Sequence, residues 1–160
     1  MADKFDSFDE DARRTLILAQ QEAAQLGHNY IGTEHLLLGI VGVTASPVAR
    51  TLAHEGASLT RLRAVVVANV GRNSPRLGVI SLTPRTKQAI EDAVVEAEAL
   101  HHAIIRPEHL MLGIIHEGQG VALRVLASLG IEREPLRAAI LRALVPPDEP
   151  PPSLVDEHPL

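Results

Sequence analysis

The sequence predicts an all-α protein, an eight-helix pseudo-twofold bundle made of two tandem four-helix repeats, and three observations carry that expectation. The stretch "IGTEHLLLGI", Ile31 to Ile40, returns 74 positions later as "IRPEHLMLGI", Ile105 to Ile114. Residues 8 to 70 in fact overlay 82 to 144 at that same offset without a gap, the signature of an internal duplication. Within each copy, apolar residues step by three and four, as one buried helical face requires. Finally, 46% of residues are hydrophobic but only 2% aromatic, so the interior must be filled by Ala, Leu, Val and Ile in close helix packing.

In the first helix of each copy, Ala12, Leu16, Ala19, Ala23 and Leu26 align with the stripe Ile90, Ala93, Ala97 and Leu100. Asp9 and Thr83 stand where an N-cap belongs, Pro84 where a first helical position tolerates proline, and Phe8 and Leu82 just before, where a hydrophobic staple would sit. The second helix opens near Thr33 or Pro107 and runs to Gly39-Ile40 or Gly113-Ile114; being short and mostly apolar, it is expected at the centre. The third follows Ser46-Pro47 in "SPVARTLAHEG" and its counterpart "GVALRVLASLG", with Gly56 and Gly130 as terminators. The fourth buries Leu59, Leu62, Val66 and Val70 in one copy and Leu136, Ile140 and Leu144 in the other. The resulting division is a loose start over 1–7, repeat one over 8–70, a turn-rich linker over 71–81, repeat two over 82–145, and a proline-rich acidic tail over 146–160 expected to be disordered.

Bulk properties remove several function classes. A net charge of −5 from 15 basic and 20 acidic residues lacks the basic surplus that phosphate-backbone binding needs, so no nucleic-acid partner is expected. There is no cysteine, which excludes disulfides, thiolate metal sites and a cysteine nucleophile. The start "MADKFDSFDEDARR" is too charged for a secretory signal, and no apolar run approaches the roughly 18 residues of a membrane span; a cytoplasmic protein with no membrane partner is the expectation. Lys4 and Lys87 are the only lysines and neither follows a glycine, so no phosphate-binding GxxxxGK[ST] loop exists.

Eight histidines and two Glu-His pairs invite a metal, yet helical neighbours point about 100° apart, whereas a two-ligand helical site needs spacings of three or four. No metal and no cofactor are expected. His35 and His109 are read as turning inward to bond locally, while His28 and His101-His102 satisfy carbonyls at helix exits. No serine context suggests a Ser-His-Asp set. What remains is Glu34 and Glu108, expected as exposed carboxylates at symmetry-related helix entrances. Each could take a guanidinium in a fork beside free backbone N–H groups able to hold an anion.

The stretches "DEDARRTLILAQQEAAQLGHNYIGTEHLLLGI" and "LTPRTKQAIEDAVVEAEALHHAIIRPEHLMLGI" resemble the double Clp-N repeat, the N-terminal domain of ClpA- and ClpC-class AAA+ protein unfoldases, over about residues 5 to 145. The resemblance implies a non-catalytic module that engages substrate proteins, peptides or adaptors in Clp-dependent degradation. In the ClpC branch it implies contact between the motif glutamates, here Glu34 and Glu108, and the guanidinium of phosphoarginine, with Thr33 and Arg106 beside them. It also places a partner or peptide surface at Phe5, Thr83, Pro84, Arg85 and Lys87. The second copy has Arg106-Pro107 where the first has Gly32-Thr33, which predicts an altered or closed second site. The expected role is a stand-alone Clp-N protein acting as adaptor, competitor or decoy for unfoldase ligands, cyclic-peptide antibiotics among them. The alternatives are an accessory subunit docking on the Clp protease core and, from another class, a small hydrolase using the Glu-His pairs.

Overall fold

The computed structural model describes residues 5–75, 78 and 80–145. Repeat one holds α1 (Glu10–Gln25), β1 (Tyr30–Ile31), α2 (Thr33–Gly42), α3 (Pro47–His54) and α4 (Leu59–Val70). Repeat two holds β2 (Ser81–Leu82), α5 (Pro84–Ala99), α6 (Pro107–Glu117), α7 (Val121–Ser128) and α8 (Arg133–Leu144). The expected eight helices are all present. The second helix of each repeat runs past its expected end, to Gly42 and Glu117, because apolar burial continues through Val41 and Ile115 and nothing there breaks the helix. Among the described residues no single helix is long and apolar enough to cross a membrane.

The predicted caps form. Asp9 Oδ1 accepts from Ala12 N at 2.7 Å, Ser46 Oγ from Ala49 N at 3.2 Å and Thr83 Oγ1 from Thr86 N at 3.1 Å. Helices α2 and α6 are central, with Leu36, Leu37, Leu38, Leu110, Met111 and Leu112 all essentially inaccessible. Gly39 and Gly113 explain why both copies keep a glycine in mid-helix. A Cβ on Gly39 would strike Thr15 O and lie 2.9 Å from Ala19 N; one on Gly113 would strike Ala89 O and lie 2.8 Å from Ala93 N. The first two helices of each repeat thus approach backbone to backbone, which only a residue without a side chain permits.

The two repeats interlock instead of merely abutting. β1 pairs in parallel with β2, Tyr30 opposite Ser81 and Ile31 opposite Leu82, and the pseudo-symmetric bridge joins Phe8 to Ile105. The start of each repeat is therefore clamped beside the α2 or α6 entrance of the other. The loose start expected over 1–7 is corrected for residues 5–7. Ile105 N donates to Ser7 O at 2.8 Å, Phe8 N to Phe5 O at 3.0 Å, and Arg13 Nη2 to Phe5 O at 2.7 Å. The expected disordered tail over 146–160 lies outside the described residues.

Candidate ligand-binding site

Each entrance is built on a histidine pair. The backbone N–H of Gly32 donates to His35 Nδ1 at 2.9 Å. That nitrogen must be the acceptor, so a neutral ring carries its proton on Nε2, which faces His28 Nδ1 at 2.7 Å. His28 in turn donates from Nε2 to Gly71 O at 2.9 Å, so one tautomer of each ring satisfies the whole chain. Repeat two repeats the first two links: Arg106 N to His109 Nδ1 at 2.9 Å, and His109 Nε2 to His102 Nδ1 at 3.0 Å. His35 and His109 are buried, as expected. The expectation that His28 serves a carbonyl at a helix exit is met at Gly71 O, the C-cap of α4; in addition both His28 and His102 reach seven residues on, to the histidine of the next helix. Burial, aided by the neighbouring imidazole, pushes His35 down to about 3 and His109 to about 4. With both ring nitrogens engaged, neither His35 nor His109 offers a base to a substrate, which leaves the hydrolase reading without its histidine.

The carboxylates next to these histidines were expected at the surface and are not. Glu34 is 1% exposed and Glu108 3%, because each entrance is roofed by the other repeat. From this common position they diverge. A Cβ on Gly32 would collide with the Glu34 carboxylate, its Cδ only 2.9 Å away; the glycine's missing side chain is the space Glu34 occupies. Tyr30 Oη donates to Glu34 Oε2 at 3.1 Å, and Glu34 Oε1 has no protein donor among the described residues. Burial first, then the Glu34 charge, push the Tyr30 hydroxyl up to about 12. In repeat two, Arg106, an exposed residue, stands at the glycine's position, so the room left by a missing side chain is not available there. Glu108 turns across the repeat boundary instead, where Oε2 accepts from Val48 N in the first turn of α3 at 2.9 Å. Burial raises the Glu108 carboxyl despite that bond and the nearby Arg106 charge.

The hydroxyl that caps the facing helix has also changed sides. In repeat one Thr33 Oγ1 accepts from Ala122 N of α7 at 3.2 Å, and it can do so because the N-cap of α7 is Gly120, where a Cβ would lie 2.9 Å from Thr33 Cβ. In repeat two Pro107 has no hydroxyl, and α3 is capped by its own Ser46.

At the repeat-one entrance the consequence is an open cavity of about 570 Å³. It brings together the predicted Thr33, Glu34, Thr83, Pro84 and Arg85 with Tyr30, Gly32, Gln119, Val121 and Arg124. Glu117 holds its rim, taking Arg85 Nη1 on Oε2 at 2.9 Å and Gln119 N on Oε1 at 3.1 Å. Four predicted residues lie elsewhere: Glu108, bonded to Val48 N as described, and three more. Arg106 lines a separate concavity with His101 and His102, Phe5 packs edge-on against Phe8 with ring centroids 5.1 Å apart, and Lys87 is exposed on α5 without lining the cavity. Tyr30, Gln119 and Arg124 were missed. Tyr30, the single tyrosine, stands four residues before Glu34 and was findable; Gln119 and Arg124 arrive from the other repeat and were not. Among the described residues no group of three His, Cys, Asp or Glu side chains could hold a metal.

The family model for the Clp repeat (R) N-terminal domain matches residues 7–81 and again 81–152. A ClpA homolog of Cyanidium caldarium, described as the ATP-binding subunit of an ATP-dependent Clp protease, is 43% identical over 141 residues, 88% of this chain and 16% of that protein. The chloroplastic chaperone protein ClpC1 of Arabidopsis thaliana is 42% identical over 139 residues, 86% of this chain and 15% of that one. The chain thus spans about a sixth of the length of these relatives. Among solved structures, the N-terminal domain of ClpD from Arabidopsis thaliana superposes with a TM-score of 0.76 at 29% identity, covering 88% of this chain and 99% of that one. The N-domain of ClpV from Vibrio cholerae shares the fold at 16% identity, with a TM-score of 0.68 and coverage of 86% and 85%.

Proposed function

The chain belongs to the Clp repeat N-terminal domain family, and on that premise we propose that it is a non-catalytic module that captures substrate proteins or adaptors for Clp-dependent degradation, with its ligand's arginine-derived side chain seated at Glu34. The observation that carries this reading is the difference between the two motif carboxylates: Glu34 lines an open cavity with one oxygen unbonded by protein, whereas Glu108 is held by Val48 N. A buried carboxylate with free acceptor capacity is the natural partner of a planar guanidinium. A ligand that carries a phosphoryl group on that guanidinium would meet Arg85 and Arg124 on the cavity wall, beside the first turn of α7, where Thr33 Oγ1 already takes the Ala122 N–H. Phosphoarginine suits this combination, because it brings a cation-like fork and an anion in one side chain.

Calorimetry with a phosphoarginine peptide tests it. Glu34→Ala should weaken binding by on the order of 2–3 kcal/mol, and Glu108→Ala should leave it almost unchanged. Glu34→Gln keeps the side-chain shape and loses the charge, so a parallel loss there separates ion pairing from packing. Undiminished affinity in the double variant Glu34→Ala, Glu108→Ala would overturn the reading.

A further inference from the structure

A second concavity, of about 410 Å³, runs between α7 and the start of α8, with Leu123, Ala127 and Ile131 on its floor and Arg133 at its far side. It shares Gln119 and Arg124 with the Glu34 cavity. The two hollows therefore adjoin across the α6–α7 connection and the first turn of α7, and Arg124 stands at their junction. Leu123 and Arg124 lie one helical turn before Ala127, so this is one face of α7 turned toward the groove.

Pseudo-symmetry shows that this junction is not an automatic product of the fold. The repeat-one counterpart of Arg124 is Arg50, whose Nη2 donates to Ala45 O at 3.0 Å, folding the guanidinium over its own helix start. Arg124 makes no such bond: Gln119 replaces Ala45, and its guanidinium has no protein partner among the described residues. The neighbouring cation, Arg133, is loosely placed over the connection, 3.5 Å from Gly118 O. Two guanidinium groups thus flank an apolar floor that continues from the Glu34 cavity.

We propose that the two hollows form one peptide cleft, so that the ligand is an extended acidic peptide segment and not an isolated side chain. This rests on the reading of Glu34 given above. The arginine-derived side chain enters the Glu34 cavity, and the adjoining residues cross Gly118–Gly120. An apolar side chain packs on Leu123 and Ile131, and an Asp or Glu within about three residues, the reach of an extended strand over some 10 Å, pairs with Arg124. The charge complementarity is specific to this face, since the equivalent arginine of the other repeat is already bonded.

Titration of the intact chain with four probes tests the cleft: a capped phosphoarginine alone, a phosphoarginine flanked by alanines, the same residue flanked by Leu and Asp, and that last peptide unphosphorylated. The Leu/Asp-flanked peptide should bind about tenfold tighter than capped phosphoarginine, and that gain should shrink as salt rises. Ala127→Glu changes an exposed residue that lines the groove and not the Glu34 cavity; it should remove the flanking gain and leave capped phosphoarginine unaffected. Arg124→Ala should shrink the preference for the Leu/Asp flank over the alanine flank and, because that guanidinium also lines the Glu34 cavity, weaken capped phosphoarginine as well. If capped phosphoarginine binds as tightly as the flanked peptide, or Ala127→Glu has no effect on the gain, the cleft is refuted while the Glu34 site stands. If no probe binds, both fall together.

Discussion

The two entrances start from the same Glu-His-Leu segment, bury it to the same depth and cap it with the same histidine pair, yet one ends as a cavity and the other as a closed joint. The difference is two residues wide. Gly32 leaves the space into which Glu34 folds, and Arg106, with a side chain of its own, does not; Thr33 reaches over to cap α7, and Pro107 cannot. Duplication copied the packing, and substitution at the helix entrances separated the chemistry. The shared part is expected to respond to perturbation in both repeats, and the diverged part in one.

The largest effect should be acid sensitivity, which both repeats share. His35 and His109 are depressed to about 3 and about 4 in the folded state, against about 6.5 in the unfolded chain. The unfolded state therefore takes up protons first as pH falls. Their contribution to stability is complete above about pH 6.5 and is lost progressively below it, by up to about 1.4 kcal/mol per pH unit for each histidine. Denaturant titrations across pH 7 to about 3 should show that slope. His35→Gln and His109→Gln should each flatten it, and below pH 4 the His35 variant should flatten it more, because His109 has by then begun to protonate. A pH-independent midpoint would mean the imidazoles are not held neutral.

Next comes the helix crossing that both repeats build alike. Gly39→Ala and Gly113→Ala should each destabilise by about 1–3 kcal/mol, since a methyl group must push two backbones apart, and thermal unfolding should find the two losses similar. A loss confined to one of them would show that the repeats do not pack equivalently.

The smallest effect should separate the repeats. Glu108→Gln keeps an oxygen for Val48 N and removes a charge that burial disfavours, so its stability at neutral pH should match or slightly exceed that of the parent. Glu108→Ala strands the buried Val48 N–H and should cost about 1–3 kcal/mol. Chemical denaturation measures both. A large loss in the Gln variant would mean that the ionised form is what the joint requires, and the closed entrance would then be electrostatic in origin.

Much of this was legible beforehand, because it depends on neighbours in the chain. Asp9, Ser46 and Thr83 cap helices three residues away; the stripes of small residues follow the helical period; and the offset of the repeat announces the pseudo-twofold bundle. His35 could be placed inside because its position at the third residue of a helix lets it reach back to the N-cap amide. The burial of Glu34 and Glu108 could not be read, since what covers each is the opposite repeat. The bonds that decide the site span the chain, from Glu108 to Val48 across 60 positions and from Thr33 to Ala122 across 89. The parallel pairing of Tyr30–Ile31 with Ser81–Leu82 is equally distant and too short to leave a periodic signal. Local propensity and periodicity determined which segments are helices, where they begin and which face they bury, because those terms act over one or two turns. Which carboxylate faces a cavity, which is tied to a neighbouring helix, and that Arg124 stands between two adjoining hollows were decided only when the repeats interlocked, because steric exclusion and hydrogen bonding act between groups that the fold alone brings within a few ångströms.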